Sequence, residues 1–138
     1  MSRQVMVATD EAQLALEMGR LEPSYAQFVV CSDGLECLEG VTAALKARTP
    51  LALTVLDLSQ MRPEAWATGQ MIRAVEAGFE AEPCPILVLS AYPAGPETEQ
   101  RLAHLGRAVY LQKTEGQSAM ALARTLSVAV ERLVGGAA

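Results

Sequence analysis

The run Leu-Ala-Leu-Thr-Val-Leu, residues 51–56, is apolar at every position except Thr54, and the acidic residue Asp57 follows it. A short apolar run of this kind is typical of a strand in the middle of a parallel sheet, where helices cover both faces. Thr49-Pro50 marks the end of the segment before it, because proline does not continue a helix. The stretch therefore predicts an α/β protein with this strand near the centre of its sheet.

Four similar runs lie on either side of this strand, and apolar residues at helical spacing follow each of the five runs. The other predicted strands are Val5–Thr9, Gln27–Cys31, Pro85–Leu89 and Ala108–Leu111. The first predicted helix contains Leu14, Met18 and Leu21, and the others cover 35–48, 64–77, 96–105 and 118–133. Strands that alternate with helices predict a doubly wound sheet of five parallel strands and five helices. One domain would then cover residues 1–134, with 135–138 as a short C-terminal tail.

The composition predicts a single domain that contacts neither nucleic acid nor a membrane. The 138 residues are 51% hydrophobic but only 4% aromatic, which fits aliphatic packing of helices on a sheet. The net charge is −5, and no cluster of Lys or Arg offers a footprint for nucleic acid. No apolar run approaches the ~20 residues of a membrane span, and the early first strand leaves no room for a signal peptide, so we expect a cytoplasmic protein. Three cysteines are expected to be buried, reduced thiols: Cys31, Cys37 and Cys84.

Polar residues with complementary chemistry follow four of the five predicted strands. Asp10 and Glu11 follow the first strand, Asp57 the third, Ser90 the fourth and Lys113 the fifth. The carboxyl ends of parallel strands meet at one edge of a sheet, so we expect these side chains to converge. Two carboxylates can hold Mg²⁺ together with water and phosphate oxygens, and a carboxylate can itself attack phosphorus to form an aspartyl-phosphate. The lysine would then neutralise charge on the transferred group.

Four of these segments resemble the motifs of response-regulator receiver domains, in the family's order along the chain. They are Val5–Glu11, Leu53–Leu58, Pro85–Ala91 and Val109–Lys113. The turn Ser32-Asp33-Gly34 also resembles the turn that precedes the family's second helix. The resemblance covers nearly the whole chain and implies a flavodoxin-like (βα)5 fold. It also implies a phosphorylation-dependent switch of a two-component system, which catalyses at most its own phosphotransfer and dephosphorylation and otherwise acts through protein contacts.

The resemblance assigns roles at the acceptor site to individual residues. Asp57 would accept the phosphoryl group, and the protein's ligands for a Mg²⁺ cofactor would be Asp10, Asp57 and the backbone carbonyl of Ser59. Glu11 is a further candidate ligand, although an acid in the first turn of a helix is also favoured by the helix dipole. Asp10 has an ordinary alternative role as well, since Asp commonly caps a helix.

The resemblance also assigns the residues that respond to phosphorylation, and the partners. Ser90 would move towards the phosphoryl group, Lys113 would pair with it, and Tyr110 would change its burial as the switch residue. The phosphoryl donor would be a sensor histidine kinase or a phosphotransfer protein, and the output would be a downstream protein target.

The last predicted helix carries more apolar residues than a single core stripe needs. The core stripe is predicted to be Leu122, Leu126, Val130 and Leu133. The additional apolar residues, which leave room for a homodimer or a partner surface, are Met120, Val128 and Val134. The chain is then either a stand-alone receiver or a fragment of a longer regulator.

Three positions depart from the family pattern. Thr9 stands where the family usually has the first of two adjacent acids, so Mg²⁺ binding is expected to be weaker or altered in geometry. The loop at residues 58–63 differs from the family's usual loop after the acceptor. Thr114 follows Lys113 where the family commonly has a cis proline, and a trans peptide bond is expected here, because a non-proline cis bond costs about 2.5–4 kcal/mol.

These departures keep two other hypotheses open. One is a receiver-like scaffold that works through protein contacts without phosphorylation. The other is a different doubly wound domain that binds a nucleotide or a flavin, although the chain has neither a G-x-G-x-x-G motif nor a P-loop.

Overall fold

The computed structural model describes residues 3–58 and 64–135. The strands are β1 Gln4–Ala8, β2 Gln27–Cys31, β3 Leu51–Asp57, β4 Ile86–Ser90 and β5 Ala108–Gln112. The helices are α1 Ala12–Arg20, α2 Gly34–Ala47, α3 Ala65–Gly78, α4 Pro96–Leu105 and α5 Ala119–Val134. A helix follows each strand, so the predicted α/β architecture of five βα units is confirmed.

The strands form one parallel sheet in the order β2-β1-β3-β4-β5. The chain runs outward from β1 to β2, crosses to β3 on the other side of β1, and then continues to β4 and β5. The crevice between the carboxyl ends of β1 and β3 lies where the direction of winding reverses, which is where doubly wound sheets bind ligands. The register places Asp57 beside Leu89 of β4, so the acid lies at the carboxyl edge of the central strand.

Two hydrophobic clusters cover the two faces of the sheet. Successive side chains of a strand point to opposite faces, so Val5 and Val7 pack with α1 and α5, whereas Met6 and Ala8 pack with α2, α3 and α4. The central strand β3 is buried on both faces, as its apolar sequence predicts. The acid at the end of β3, Asp57, is buried together with the strand.

The α5 helix corrects one detail of the predicted core. Val134, predicted to be surface, is 3% exposed and belongs to the core, whereas Leu133, predicted to be core, is 38% exposed. The buried residues Leu122, Leu126, Val130 and Val134 are each four positions apart, so they share one helix face. Met120 and Val128 are exposed, as predicted.

Three further features were predicted from the sequence: buried thiols, a turn before α2 and the absence of a membrane span. All three cysteines are buried and unbridged, in agreement with the sequence. The turn before α2 is also in place, since the side chain of Asp33 caps the helix by accepting from the Glu36 N–H at 2.8 Å. Within residues 3–58 and 64–135, every helix is too short or too polar to span a bilayer.

Candidate functional site

The carboxyl edge of the sheet brings together four polar side chains: Thr9, Asp57, Ser90 and Lys113. Asp57 ends the central strand, Thr9 follows β1 on one side, and Ser90 ends β4 on the other. Lys113 follows β5 and is held close by its backbone N–H, which donates to the carbonyl oxygen of Ser90 at 2.7 Å. The topology thus explains why residues so distant in sequence meet here.

Asp57 is a buried carboxylate whose two oxygens have different neighbours. The side chain is 1% exposed. Oδ2 accepts a hydrogen bond from the Thr9 hydroxyl at 2.7 Å, while Oδ1 lies 2.9 Å from Lys113 Nζ. Oδ1 has no aligned hydrogen-bond donor within the described residues, so its contact with Lys113 is an ion pair rather than a well-formed hydrogen bond. Oδ1 is therefore the buried oxygen that is available to a further ligand.

Thr9 is fully buried and makes a contact that sequence reasoning missed. Its position was predicted only to lack a carboxylate, but its hydroxyl donates to Asp57 Oδ2 and accepts from the backbone N–H of Glu11 at 3.1 Å. Its own N–H donates to the Cys31 carbonyl at 3.0 Å, which fixes the end of β1 against β2. The only signal for this in the sequence is that Thr9 and Asp57 both lie at strand ends.

Lys113 forms ion pairs with two acids. Its Nζ lies 2.9 Å from Asp57 Oδ1 and 3.2 Å from Glu11 Oε1. Glu11, predicted as a candidate metal ligand, is thus the partner of the lysine in this structure, and its half-exposed side chain does not cap α1. The lysine ammonium bridges the ends of β1 and β3.

The charges of Asp57 and Lys113 are shifted by burial and by each other. Burial raises the pKa of Asp57 above its usual range, against the lowering effects of the Thr9 hydrogen bond and of Lys113. Burial alone lowers the pKa of Lys113, but Asp57 and Glu11 outweigh it, so that this pKa lies above its ordinary value. Both pKa values are thus raised: burial dominates at the more deeply buried Asp57, whereas the two acids together outweigh burial at Lys113. The pairing keeps Lys113 positively charged beside Asp57.

A chain of two hydrogen bonds leads from Ser90 to β5. Ser90 is fully buried, and its hydroxyl oxygen accepts from the backbone N–H of Tyr92 at 3.2 Å. The carbonyl oxygen of Tyr92 in turn accepts from the Tyr110 hydroxyl at 2.7 Å. Tyr110 packs against the cluster of α2, α3 and α4, whereas Tyr92 is 74% exposed. The hydroxyl predicted to contact the phosphoryl group is therefore connected to the residue predicted to switch.

The predicted Mg²⁺ ligands are placed only in part. Asp57 is at the site, Asp10 is exposed and directly follows Thr9, and Ser59 falls outside the described residues. No group of three or more acids, histidines or cysteines able to hold a metal is present in residues 3–58 and 64–135. Mg²⁺ is commonly bound by one or two carboxylates with several waters. The buried Asp57 carboxylate has lone pairs that no donor in the described residues uses, and a second acid, Asp10, is adjacent in sequence to its partner Thr9, so its chemistry fits a largely hydrated Mg²⁺.

Comparison with known proteins shows a likeness in structure. No protein-family model matches the chain, and no curated protein matches its sequence. The receiver domain of the Arabidopsis thaliana histidine kinase CKI1, complexed with Mg²⁺ and BeF₃⁻, has a TM-score of 0.69 and 22% identity, over 91% of this chain and 90% of that one. The Vibrio cholerae chemotaxis protein CheY4 has a TM-score of 0.66 and 20% identity, over 93% and 98% of the two chains. The receiver domain of the Francisella response regulator 1452 has a TM-score of 0.67 and 19% identity, over 99% of each chain. This chain has the fold of a response-regulator receiver domain, as its sequence motifs predicted.

Proposed function

We propose that this chain is a phosphorylation-dependent signalling switch of a two-component system, with Asp57 as the phosphoacceptor. The observation that carries the proposal is the asymmetric carboxylate of Asp57, which is buried at the ligand-binding edge of the sheet. One of its oxygens is held by a hydroxyl, and the other faces an ammonium group and lacks an aligned donor. Solved structures of the same fold belong to receiver domains, which supports the same function.

The chemistry follows from the charges at this edge. A lone pair of the ionised Asp57 carboxylate forms the new bond to phosphorus, the bond between phosphorus and the donor atom breaks, and the donor leaves with its electron pair. Lys113 lies where the negative charge of the phosphoryl oxygens develops and stabilises it by charge. Asp10, Asp57 and the backbone carbonyl of Ser59 would hold Mg²⁺, which would supply further positive charge against the phosphoryl group.

The proposed output begins at Ser90. A phosphoryl group on Asp57 adds strong acceptor oxygens, and the Ser90 hydroxyl has a proton to donate to one of them. Because Ser90 Oγ, Tyr92 and Tyr110 are joined by hydrogen bonds, a movement of the serine perturbs the position of Tyr110 on β5. Phosphorylation then shifts an equilibrium between two arrangements of the surface formed by β4 and β5. A sensor histidine kinase or phosphotransfer protein would supply the phosphoryl group, and a downstream protein would bind that surface.

An unreactive phosphoryl analogue tests the site without any phosphodonor. We expect Mg²⁺ with BeF₃⁻ to change the fluorescence of Trp66, because this tryptophan lines a surface depression together with Leu58, the residue after Asp57. The titration is saturable for the wild type and absent for Asp57→Asn, which keeps the shape of the side chain but removes its charge. A response that persists in Asp57→Asn would assign the binding to another site and contradict the proposal.

Replacing Tyr110 with Phe is expected to uncouple β5 from the acceptor. The variant loses the 2.7 Å hydrogen bond to Tyr92 and about 0.5–1.5 kcal/mol of the free energy of unfolding. In ¹H–¹⁵N spectra, BeF₃⁻ with Mg²⁺ should still shift the amides of Thr9 and Leu58 but no longer those of β5.

The matched control for this variant is Tyr25→Phe. It removes another tyrosine hydroxyl, which bonds to the Ser127 carbonyl at 3.0 Å and lies far from the site. This control should leave the amide shifts of β5 intact. Shifts in β5 that are the same in Tyr110→Phe as in the wild type would show that the hydrogen-bond chain does not transmit the change.

A further inference from the structure

We propose that Thr9 is a positioning residue, which orients the Asp57 carboxylate so that Oδ1, rather than Oδ2, accepts the phosphoryl group. The inference rests on the proposed function and deepens it.

The direction of the hydrogen bonds at Thr9 is fixed. A threonine hydroxyl has one proton to donate. Its oxygen accepts from the Glu11 N–H at 3.1 Å, and its proton goes to Asp57 Oδ2 at 2.7 Å. Because Thr9 is buried and the Glu11 N–H holds its hydroxyl oxygen, a rotation of the Asp57 carboxylate would break the hydrogen bond to Oδ2.

The second oxygen of the carboxylate, Oδ1, is held by its attraction to the charge of Lys113. Lys113 Nζ lies 2.9 Å from Oδ1, without a well-aligned hydrogen bond. The torsion that rotates a carboxylate is soft and roughly two-fold, so the two oxygens would exchange easily without an anchor. Thr9 on Oδ2 and Lys113 opposite Oδ1 together select one orientation, in which Oδ1 presents its lone pairs to the incoming phosphorus.

The same contact remains useful after transfer. Oδ1 becomes the oxygen that bridges carbon and phosphorus, and Oδ2 becomes the carbonyl oxygen of the acyl phosphate. A carbonyl oxygen still accepts a hydrogen bond, so Thr9 keeps its partner on both sides of the reaction. A donor that needs no reorganisation during the step is the arrangement that favours fast transfer.

Three substitutions distinguish a positioning role of Thr9 from a purely structural one. Thr9→Val removes the hydroxyl at nearly constant shape, and Thr9→Ser keeps the hydroxyl but loses the methyl group. The matched control is Thr54→Val, because Thr54 is equally buried in the neighbouring strand but its hydroxyl contacts Cys84 Sγ at 3.5 Å, away from Asp57. Thr9→Ala replaces Thr9→Val if the valine variant does not fold.

The measurement is the rate of phosphorylation by acetyl phosphate at saturating Mg²⁺, as a function of donor concentration. We expect the maximal rate constant of Thr9→Val to fall about tenfold, because the reacting oxygen is no longer held in line. The half-saturating donor concentration should change less than the rate does. Thr9→Ser should recover most of the rate, and Thr54→Val should match the wild type.

The outcomes distinguish this inference from the proposed function. A wild type that is never phosphorylated overturns both. A wild type that is phosphorylated, with Thr9→Val reacting at the same or a higher rate, overturns only the role of Thr9. A crystal structure with BeF₃⁻ and Mg²⁺ gives the direct view: beryllium bonded to Oδ1, with the Thr9 hydroxyl still on Oδ2, is expected. Beryllium bonded to Oδ2 would contradict the assignment.

Discussion

Replacing Glu76 with Ala is expected to lower the free energy of unfolding by about 3–5 kcal/mol, the usual effect of leaving one partner of a buried ion pair alone. Glu76 is 2% exposed, and its Oε1 lies 2.7 Å from Nη1 of Arg73, itself largely buried. Its other oxygen accepts the backbone N–H of Cys84 at 2.7 Å, just before β4. The variant would thus leave the buried guanidinium of Arg73 and the buried backbone amide of Cys84 without their shared partner.

The contacts of Arg73 explain why the substitution of Glu76 would affect several elements of the domain. Its Nε and Nη2 donate to the carbonyl oxygens of Leu105 and Gly106, at 2.9 and 2.6 Å. These are carbonyls at the C-terminus of α4, which the helix itself cannot satisfy. The pair therefore joins α3 to the end of α4 and to the start of β4.

Urea unfolding followed by circular dichroism measures this effect, with Glu39→Ala as the control for an exposed glutamate on a helix. We expect the control to change the free energy of unfolding by less than about 0.5 kcal/mol. Glu76→Gln, which keeps the shape but not the charge, should fall between the control and Glu76→Ala. A loss below about 1 kcal/mol for Glu76→Ala would show that the pair contributes little beyond an exposed one.

Replacing Lys113 with Met is expected to slow phosphorylation of Asp57 about 10²–10³-fold, the usual cost of removing one group that stabilises developing negative charge. Methionine keeps an unbranched apolar side chain but removes the ammonium that lies 2.9 Å from Asp57 Oδ1. The rate constant is measured from reactions with acetyl phosphate that are quenched at successive times and analysed by intact mass. Lys46→Met, an exposed position on α2, is the control and should react like the wild type. A Lys113→Met variant that reacts within threefold of the wild type would remove this residue from the proposed mechanism.

The same variant should also show a pH dependence of stability with a definite sign. Burial raises the pKa of Asp57 in the folded state, and Lys113 opposes that rise. Without Lys113 the folded pKa rises further above the unfolded value, so protonation favours the folded state more strongly. The stability deficit of Lys113→Met relative to the wild type should be largest at a pH above the folded pKa of Asp57 and below that of Lys113, and shrink as the pH falls through the folded pKa of Asp57. A deficit that grows on acidification would contradict this account.

The fold was predictable because its signals are local. The apolar run before Asp57 and the three- and four-residue spacings of the helices are properties of neighbouring residues, and they fixed five βα units. On α5 the same reasoning placed Leu133 inside and Val134 outside, which is the reverse of the structure. At the end of a helix, the sequence pattern is compatible with either Leu133 or Val134 in the core. Only the position of the sheet decides between them.

The candidate site was predictable as a set of residues but not as a set of contacts. Strand ends identified Asp57, Ser90 and Lys113, since parallel strands bring their carboxyl ends to one edge. The hydrogen bond from Thr9 joins residues 48 positions apart, and the choice between the two oxygens of Asp57 depends on side-chain orientation. Neither this hydrogen bond nor this choice of oxygen can be predicted from the composition of the sequence or the spacing of its residues. The ion pair of Arg73 and Glu76 escaped prediction for a related reason, because two charges on a helix usually indicate a solvated face.

The most direct test of the central claim is the intact mass of the protein after incubation with acetyl phosphate, with and without Mg²⁺, for the wild type and Asp57→Asn. We expect the wild type to gain one phosphoryl group in the presence of Mg²⁺ and to lose it on treatment with hydroxylamine, which cleaves acyl phosphates. Asp57→Asn should gain none. A wild type that stays unmodified with several donors and Mg²⁺ concentrations, or an Asp57→Asn variant that is modified equally, would contradict the assignment of Asp57 as the acceptor.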